Sequence, residues 1–217
     1  MPTTISTKEF ASWEKQVQRS FLWIKNHQEQ FWATVLTIGF VIVGIVFSFH
    51  RHFLQQEDAW TQLAQPQALL MQNQIDPAQK ALEDWEKRFA KTDANTYALF
   101  LKADMLYQKK DFPGAATLYS ELAQTGTPEL IRPLALSAEG SAEEMAGQFS
   151  QAKTTFQHFL DKYPDHFLSA SAYLSEARNA ELSGNSPEAA ALYDRFLILY
   201  PKSPWAEDIQ KRVQKKA

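Results

Sequence analysis

Cysteine is absent from the sequence, and this absence excludes several classes of function. The chain has no disulfide bond, no thiolate metal site and no cysteine nucleophile, and it cannot be tethered to a membrane through a lipidated cysteine. No glycine-rich phosphate loop, H-E-x-x-H motif or G-x-S-x-G motif occurs either. The sequence therefore predicts no catalytic residues and no cofactor, and it indicates a protein that is not an enzyme.

Clustered positive charge is also missing. Residues 53–217 carry 17 Lys and Arg against 22 Asp and Glu, a net charge of −5. Nucleic-acid binding depends on basic patches, so we expect no nucleic-acid partner. The histidines lack a third ligand at a metal-binding spacing, and we predict no metal site. They are His27, His50, His52, His158 and His166.

One long apolar run is present near the N-terminus. Residues 31–49 contain no Asp, Glu, Lys, Arg, Asn or Gln, and as a helix they would extend about 28 Å, close to the hydrocarbon thickness of a bilayer. The 30 residues before the run and the lack of an A-x-A site after it are atypical of a cleaved signal peptide. We therefore predict a transmembrane anchor over residues 31–52.

The distribution of Lys and Arg around this run predicts its orientation. Lys8, Lys15, Arg19 and Lys25 precede the run, whereas only Arg51 follows it closely. Basic residues are retained on the cytoplasmic side of a membrane. We expect residues 1–30 in the cytoplasm and residues 53–217 outside it.

The N-terminal segment has an apolar pattern of its own. Phe10, Trp13, Val17, Phe21 and Ile24 follow one another at spacings of 3, 4, 4 and 3, which places them on one face of a helix. Basic residues on the remaining faces suit lipid headgroups. The segment is either an interfacial amphipathic helix or a short helix that runs directly into the anchor.

The part of the chain after the anchor repeats with a period of 37 residues. Small residues, turn residues, alanines and aromatic residues recur in three units without a gap. An alanine followed four residues later by an aromatic residue places both side chains on one helix face. The recurring positions are Ala103, Gly140 and Ala177; Phe112, Phe149 and Ser186; Ala115, Ala152 and Ala189; and Tyr119, Phe156 and Tyr193.

This pattern resembles the tetratricopeptide repeat, in which a pair of helices packs a small residue of the first helix against an aromatic residue of the second. The resemblance implies a helical-repeat solenoid in residues 53–217, and together with the predicted single N-terminal transmembrane helix this gives an all-α fold. A fainter first unit has Pro66 where the small residue belongs. The expected repeats cover about 55–92, 94–127, 131–164 and 168–201, and a capping helix is expected over 203–215.

A tetratricopeptide array usually binds peptides on the concave face formed by its first helices. By register, eight residues of the first helices are expected to face this groove, where aromatic side chains suit the apolar side chains of a partner. These predicted partner-binding residues are Tyr97, Phe100, Asp104, Tyr107, Leu134, Met145, Leu174 and Arg178.

The layout as a whole is similar to the ancillary subunit of the bacterial Sec translocon, the YfgM type. That resemblance implies a single-pass protein of the inner membrane with a periplasmic repeat domain. The implied partners are translocon subunits, a periplasmic peptidyl-prolyl isomerase chaperone and exported clients. Two alternatives are an envelope-assembly or Tol-associated repeat protein, and an organellar import receptor with cytosolic repeats.

Overall fold

The computed structural model describes residues 7–216, apart from the side chains of residues 7–12, 14, 15, 21, 215 and 216. Every regular element in residues 7–216 is an α-helix, as the repeat pattern predicts. The chain divides into two compact units, residues 1–54 and residues 55–217. The side chains of Phe10 and Phe21, which belong to the predicted amphipathic face, lie outside the described residues.

The first unit contains helix α1 (Thr7–Asn26) and the part of helix α2 (Gln28–Met71) up to residue 54, which includes the whole apolar run. His27 alone separates the two helices, and its N–H donates to the Trp23 carbonyl oxygen at 3.0 Å. Among the described residues, α2 is the one helix long and apolar enough to cross a membrane, and its most apolar window is wholly unburied. Trp23 and Trp32 are also exposed. Aromatic residues of this kind favour the headgroup zone of a bilayer.

The second unit contains four successive helix pairs. After α2 come α3 Ile75–Phe89, α4 Asn95–Gln108, α5 Phe112–Thr125, α6 Ile131–Met145, α7 Phe149–Lys162, α8 Ser169–Leu182 and α9 Ser186–Leu199. The first helix of each pair is the part of α2 after residue 54, α4, α6 or α8, and the second is α3, α5, α7 or α9. The second helices begin at intervals of 37 residues.

Each first helix is followed by a residue with positive φ that reverses the chain into the second helix. The left-handed conformation ends a helix and lets the amide after it bond back across the turn. The Asp111 N–H, for example, donates to the Leu106 carbonyl oxygen at 2.9 Å. The four residues with positive φ are also 37 residues apart: Asn73 (58°), Lys110 (65°), Gly147 (77°) and Gly184 (87°).

The aromatic residue of each second helix lies in the core, as the sequence predicts. Tyr119, Phe156 and Tyr193 are each no more than 4% exposed. Gly140 leaves the space that the Phe156 ring occupies, because a Cβ atom added at Gly140 would lie 2.9 Å from Cζ of that ring. This close approach explains why the first helix carries a small residue at this point of the repeat.

The first pair departs from the pattern of the others in its first helix. Helix α2 continues without interruption through residues 31–52 and up to Met71, so the predicted anchor and the first repeat helix form one helix. Pro66 takes the place of the small residue and is buried. Trp85 of α3 joins the two helices of this pair, because its indole N–H donates to the carbonyl oxygen of Ala59 in α2 at 2.8 Å.

The array ends with helix α10 (Ala206–Lys216), which packs against α9. The sequence predicts a capping helix over 203–215, and the observed helix begins three residues later because residues 201–205 form turns. Ile209 and Val213 of α10 pack against the buried cluster that contains Tyr193.

Candidate functional site

A cleft of about 210 Å³ lies between the first helices of the first two repeats. Below it is called the aromatic cleft. The repeat pattern predicts a partner-binding surface on the first helices, and the cleft lies between two of these helices. The cleft is lined by Trp60, Leu63, Ala64 and Gln67 of α2 and by Tyr97, Phe100, Leu101 and Asp104 of α4.

The helical period places these residues together. Residues 60, 63, 64 and 67 lie on one face of α2, and residues 97, 100, 101 and 104 lie on one face of α4, because neighbours on a helix face are three or four residues apart. Trp60 and Tyr97 meet edge to face, with ring centroids 4.8 Å apart. Trp60 stays 44% exposed, so its ring is accessible to a ligand.

Asp104 supplies the one carboxylate of the aromatic cleft, and it is half-buried. Its Oδ1 accepts a hydrogen bond from the Tyr119 hydroxyl of α5. Burial raises the pKa of Asp104 above its usual value, and the Tyr119 hydrogen bond opposes that rise. Burial beside this carboxylate also raises the pKa of Tyr119, which keeps the phenol a donor.

The structure brings three of the predicted partner-binding residues into the aromatic cleft, namely Tyr97, Phe100 and Asp104. Phe100 also packs edge to face on Tyr119, with centroids 5.3 Å apart. Tyr107 lies further along α4, where its ring contacts Phe112 at a centroid distance of 5.2 Å.

The other four predicted residues lie on α6 and α8. Leu134 and Leu174 are half-buried, and Leu174 packs against the cluster around Tyr193. Met145 is 53% exposed at the end of α6. Arg178 is exposed, and its Nε lies 2.7 Å from Oε1 of Glu144, which joins α8 to α6.

Sequence reasoning misses the α2 side of the aromatic cleft. Trp60, Leu63 and Gln67 stand 37 residues before Tyr97, Phe100 and Asp104. The period alone identifies these equivalent residues. Pro66 hides the equivalence, because a proline at the small-residue position makes the first unit look degenerate.

A second, more polar groove of about 530 Å³ runs between α5, α6 and α7. Glu143 is buried there and accepts a hydrogen bond from the Thr155 hydroxyl at 2.7 Å. Glu139 is half-buried beside it. Burial raises the pKa of both carboxyl groups. Across the part of the chain that the structure describes, no group of three or more His, Asp or Glu side chains is placed to hold a metal ion.

Comparison with known families agrees with the helix pairs. A family model described as Tetratricopeptide repeat matches residues 63–129 and 137–204. The chain belongs to the tetratricopeptide repeat family. No match is found among curated proteins.

Membership of the tetratricopeptide repeat family defines the general role of the second unit. Proteins of this family are scaffolds for protein–protein interaction and are generally not enzymes. Stacked repeats create extended surfaces on which such partners bind. The repeats therefore suggest that the partners of the second unit are proteins.

Proposed function

We propose that this tetratricopeptide repeat protein is a single-pass protein of a bacterial inner membrane. In this proposal its repeat domain lies in the periplasm and docks a chaperone or an exported client beside the Sec translocon. The observation that carries the proposal is an aromatic cleft in a repeat domain that shares a chain with one membrane-spanning candidate, α2. The distribution of basic residues before and after residues 31–49 supports the orientation.

The anchor gives such a domain a physical advantage as a scaffold. Confinement to a membrane raises the local concentration of the domain near other membrane proteins, so weak contacts become effective. The aromatic cleft offers Trp60, Tyr97 and Phe100 for contact, and aromatic side chains are favoured at the centres of protein interfaces. The layout also resembles the ancillary translocon subunit, whose partners are a membrane-anchored isomerase and translocated chains.

Photo-crosslinking in intact cells tests the proposed partners. A photoreactive amino acid at Ala64, which is exposed and lines the aromatic cleft, is expected to trap a channel subunit, an isomerase or an exported chain. The matched control is Gln157, an exposed residue of α7 that lies outside the cleft. Recovery of outer-membrane assembly factors alone, or equal yields at both positions, would contradict the proposal.

Protease accessibility tests the proposed orientation separately. Protease added to the outer face of the inner membrane is expected to digest residues 53–217 and to leave the N-terminal segment protected. Digestion of residues 1–30 alone would show the inverse orientation, which the import-receptor alternative requires.

A further inference from the structure

We propose that the aromatic cleft binds the cationic side chain of a lysine or arginine on the protein partner. This inference rests on the proposed function only in taking the partner to be a protein. It adds the chemistry of recognition, namely a positive charge held by Trp60, Tyr97 and Phe100 together with the carboxylate of Asp104.

The first support is that Asp104 has no cation near it. No ion pair forms at Asp104 within residues 7–216, and its hydrogen bond comes from the neutral phenol of Tyr119. Other half-buried carboxylates of the second unit do meet cations from neighbouring helices. The pairs are Glu86 with Lys102, Glu144 with Arg178, Glu181 with Arg212 and Glu188 with Lys153.

The second support is the set of aromatic side chains that surround the Asp104 carboxylate. A cation is attracted by the electron-rich faces of aromatic rings, and Trp provides the strongest attraction. The aromatic cleft holds a Trp, a Tyr and a Phe beside Asp104. Glu139 and Glu143, by contrast, line a groove that contains no aromatic side chain. Among these acidic sites, an aromatic lining is found only around Asp104.

The third support is the size and placement of the cleft. At about 210 Å³ the aromatic cleft is smaller than a typical small-molecule site, and it suits one side chain. The combination does not recur along the array, because the positions equivalent to Phe100 and Asp104 in the third repeat are Ser137 and Ser141. A cation would therefore select the junction of the first two repeats.

Fluorine NMR on the full chain in detergent micelles tests this assignment. The chain has six tryptophans, so labelling with 5-fluorotryptophan gives one signal for each, and Trp60→Phe identifies that of Trp60. The probes are N-acetyl-arginine amide, its neutral isostere N-acetyl-citrulline amide, and N-acetyl-leucine amide. The signal of Trp205, which is 46% exposed but lies outside the cleft, serves as an internal control.

We expect the arginine amide to shift the Trp60 signal at a concentration about tenfold lower than the citrulline amide does, as a partly desolvated cation–π contact and an ionic hydrogen bond imply. Asp104→Asn should bring this ratio close to one. The variant is expected to remain folded, because Asn Oδ1 still accepts from the Tyr119 hydroxyl. Glu207→Gln, at an exposed carboxylate of α10, should leave the ratio unchanged.

Three results would overturn the inference: equal binding of the arginine and citrulline amides, stronger binding of the leucine amide, or no Trp60 shift with any probe. A tenfold ratio that persists in Asp104→Asn would also refute the role of the carboxylate. None of these results depends on the identity of the crosslinked partner. The cation site and the translocon-scaffold proposal therefore fail independently.

Discussion

Replacing Phe156 with Ala should destabilise the repeat domain strongly. The Phe156 side chain is 2% exposed, and its ring fills the space opposite Gly140 in α6. Truncation of a buried Phe to Ala costs about 3–5 kcal/mol. Gly140 has no side chain that could move into the void, so we expect a loss in the upper part of that range. For a domain of this size, a loss of about 4–5 kcal/mol should lower the melting temperature by roughly 8–20 °C.

The measurement is thermal unfolding of the full chain in detergent, followed by far-ultraviolet circular dichroism. Hydrogen exchange at the amides of α6 and α7 localises the effect, because repeat arrays do not always unfold in one step. The control is Phe167→Ala, at a residue that is 77% exposed, where we expect a change within about 0.5 kcal/mol. Equal losses for the two variants would refute the assigned packing of Phe156.

Gly140→Ala extends the same test to the partner residue. In the wild-type background the new Cβ would lie 2.9 Å from the Phe156 ring, and overpacking of this kind costs about 1–3 kcal/mol. In the Phe156→Ala background the same methyl group enters the void, and it should stabilise the protein. A purely additive double-mutant cycle would show that the two residues do not touch.

Two further predictions concern the turns and a buried carboxyl group. Lys110 and Gly184 both have positive φ, which glycine adopts without steric cost. Lys110→Gly should therefore raise the free energy of unfolding by about 0.5–1 kcal/mol. Gly184→Ala should lower it by about 1 kcal/mol through backbone conformation alone, because no atom lies within 4 Å of a Cβ added at Gly184. A fall in melting temperature for Lys110→Gly would contradict this assignment. Burial raises the pKa of Glu176 to about 7 from 4.5, so the folded state binds the proton more tightly and stability falls as pH rises from 4.5 to 7, by at most about 3 kcal/mol. Glu176→Gln should therefore raise the melting temperature at pH 8 but hardly at pH 5, whereas the exposed Glu207→Gln should change neither; an equal gain at both pH values would exclude titration of Glu176 as the cause.

The repeat architecture could be predicted from the sequence because its determinants are local. An alanine and an aromatic residue four positions apart, such as Ala152 and Phe156, define the inner face of a second helix. The 37-residue spacing between equivalent pairs then predicts where each of the remaining second helices begins. The repeat pattern is weakest at α2, where no glycine or proline separates the predicted anchor from the first repeat and Pro66 lies within the helix.

The candidate site could be predicted only in part. Register identifies the α4 residues Tyr97, Phe100 and Asp104, because α4 belongs to a clear repeat. The opposite wall of the cleft, including Trp60, belongs to the unit in which the pattern is weakest. Tyr107 shares a helix with the three α4 residues, but it packs on Phe112. Such a choice between neighbouring contacts depends on helix packing, which periodicity does not encode.

The nearest-neighbour packing of the helices has a consequence for the order in which the domain forms. Each helix from α3 onwards contacts the helix that follows it, and contacts that skip one helix, such as those of α6 with α8 and of α2 with α4, join adjacent repeats. Contacts between residues close in sequence favour fast folding. A chain that emerges N-terminus first from a ribosome or a channel can therefore close each pair as soon as its second helix appears. Little apolar surface then stays exposed to solvent before the helix that buries it has emerged.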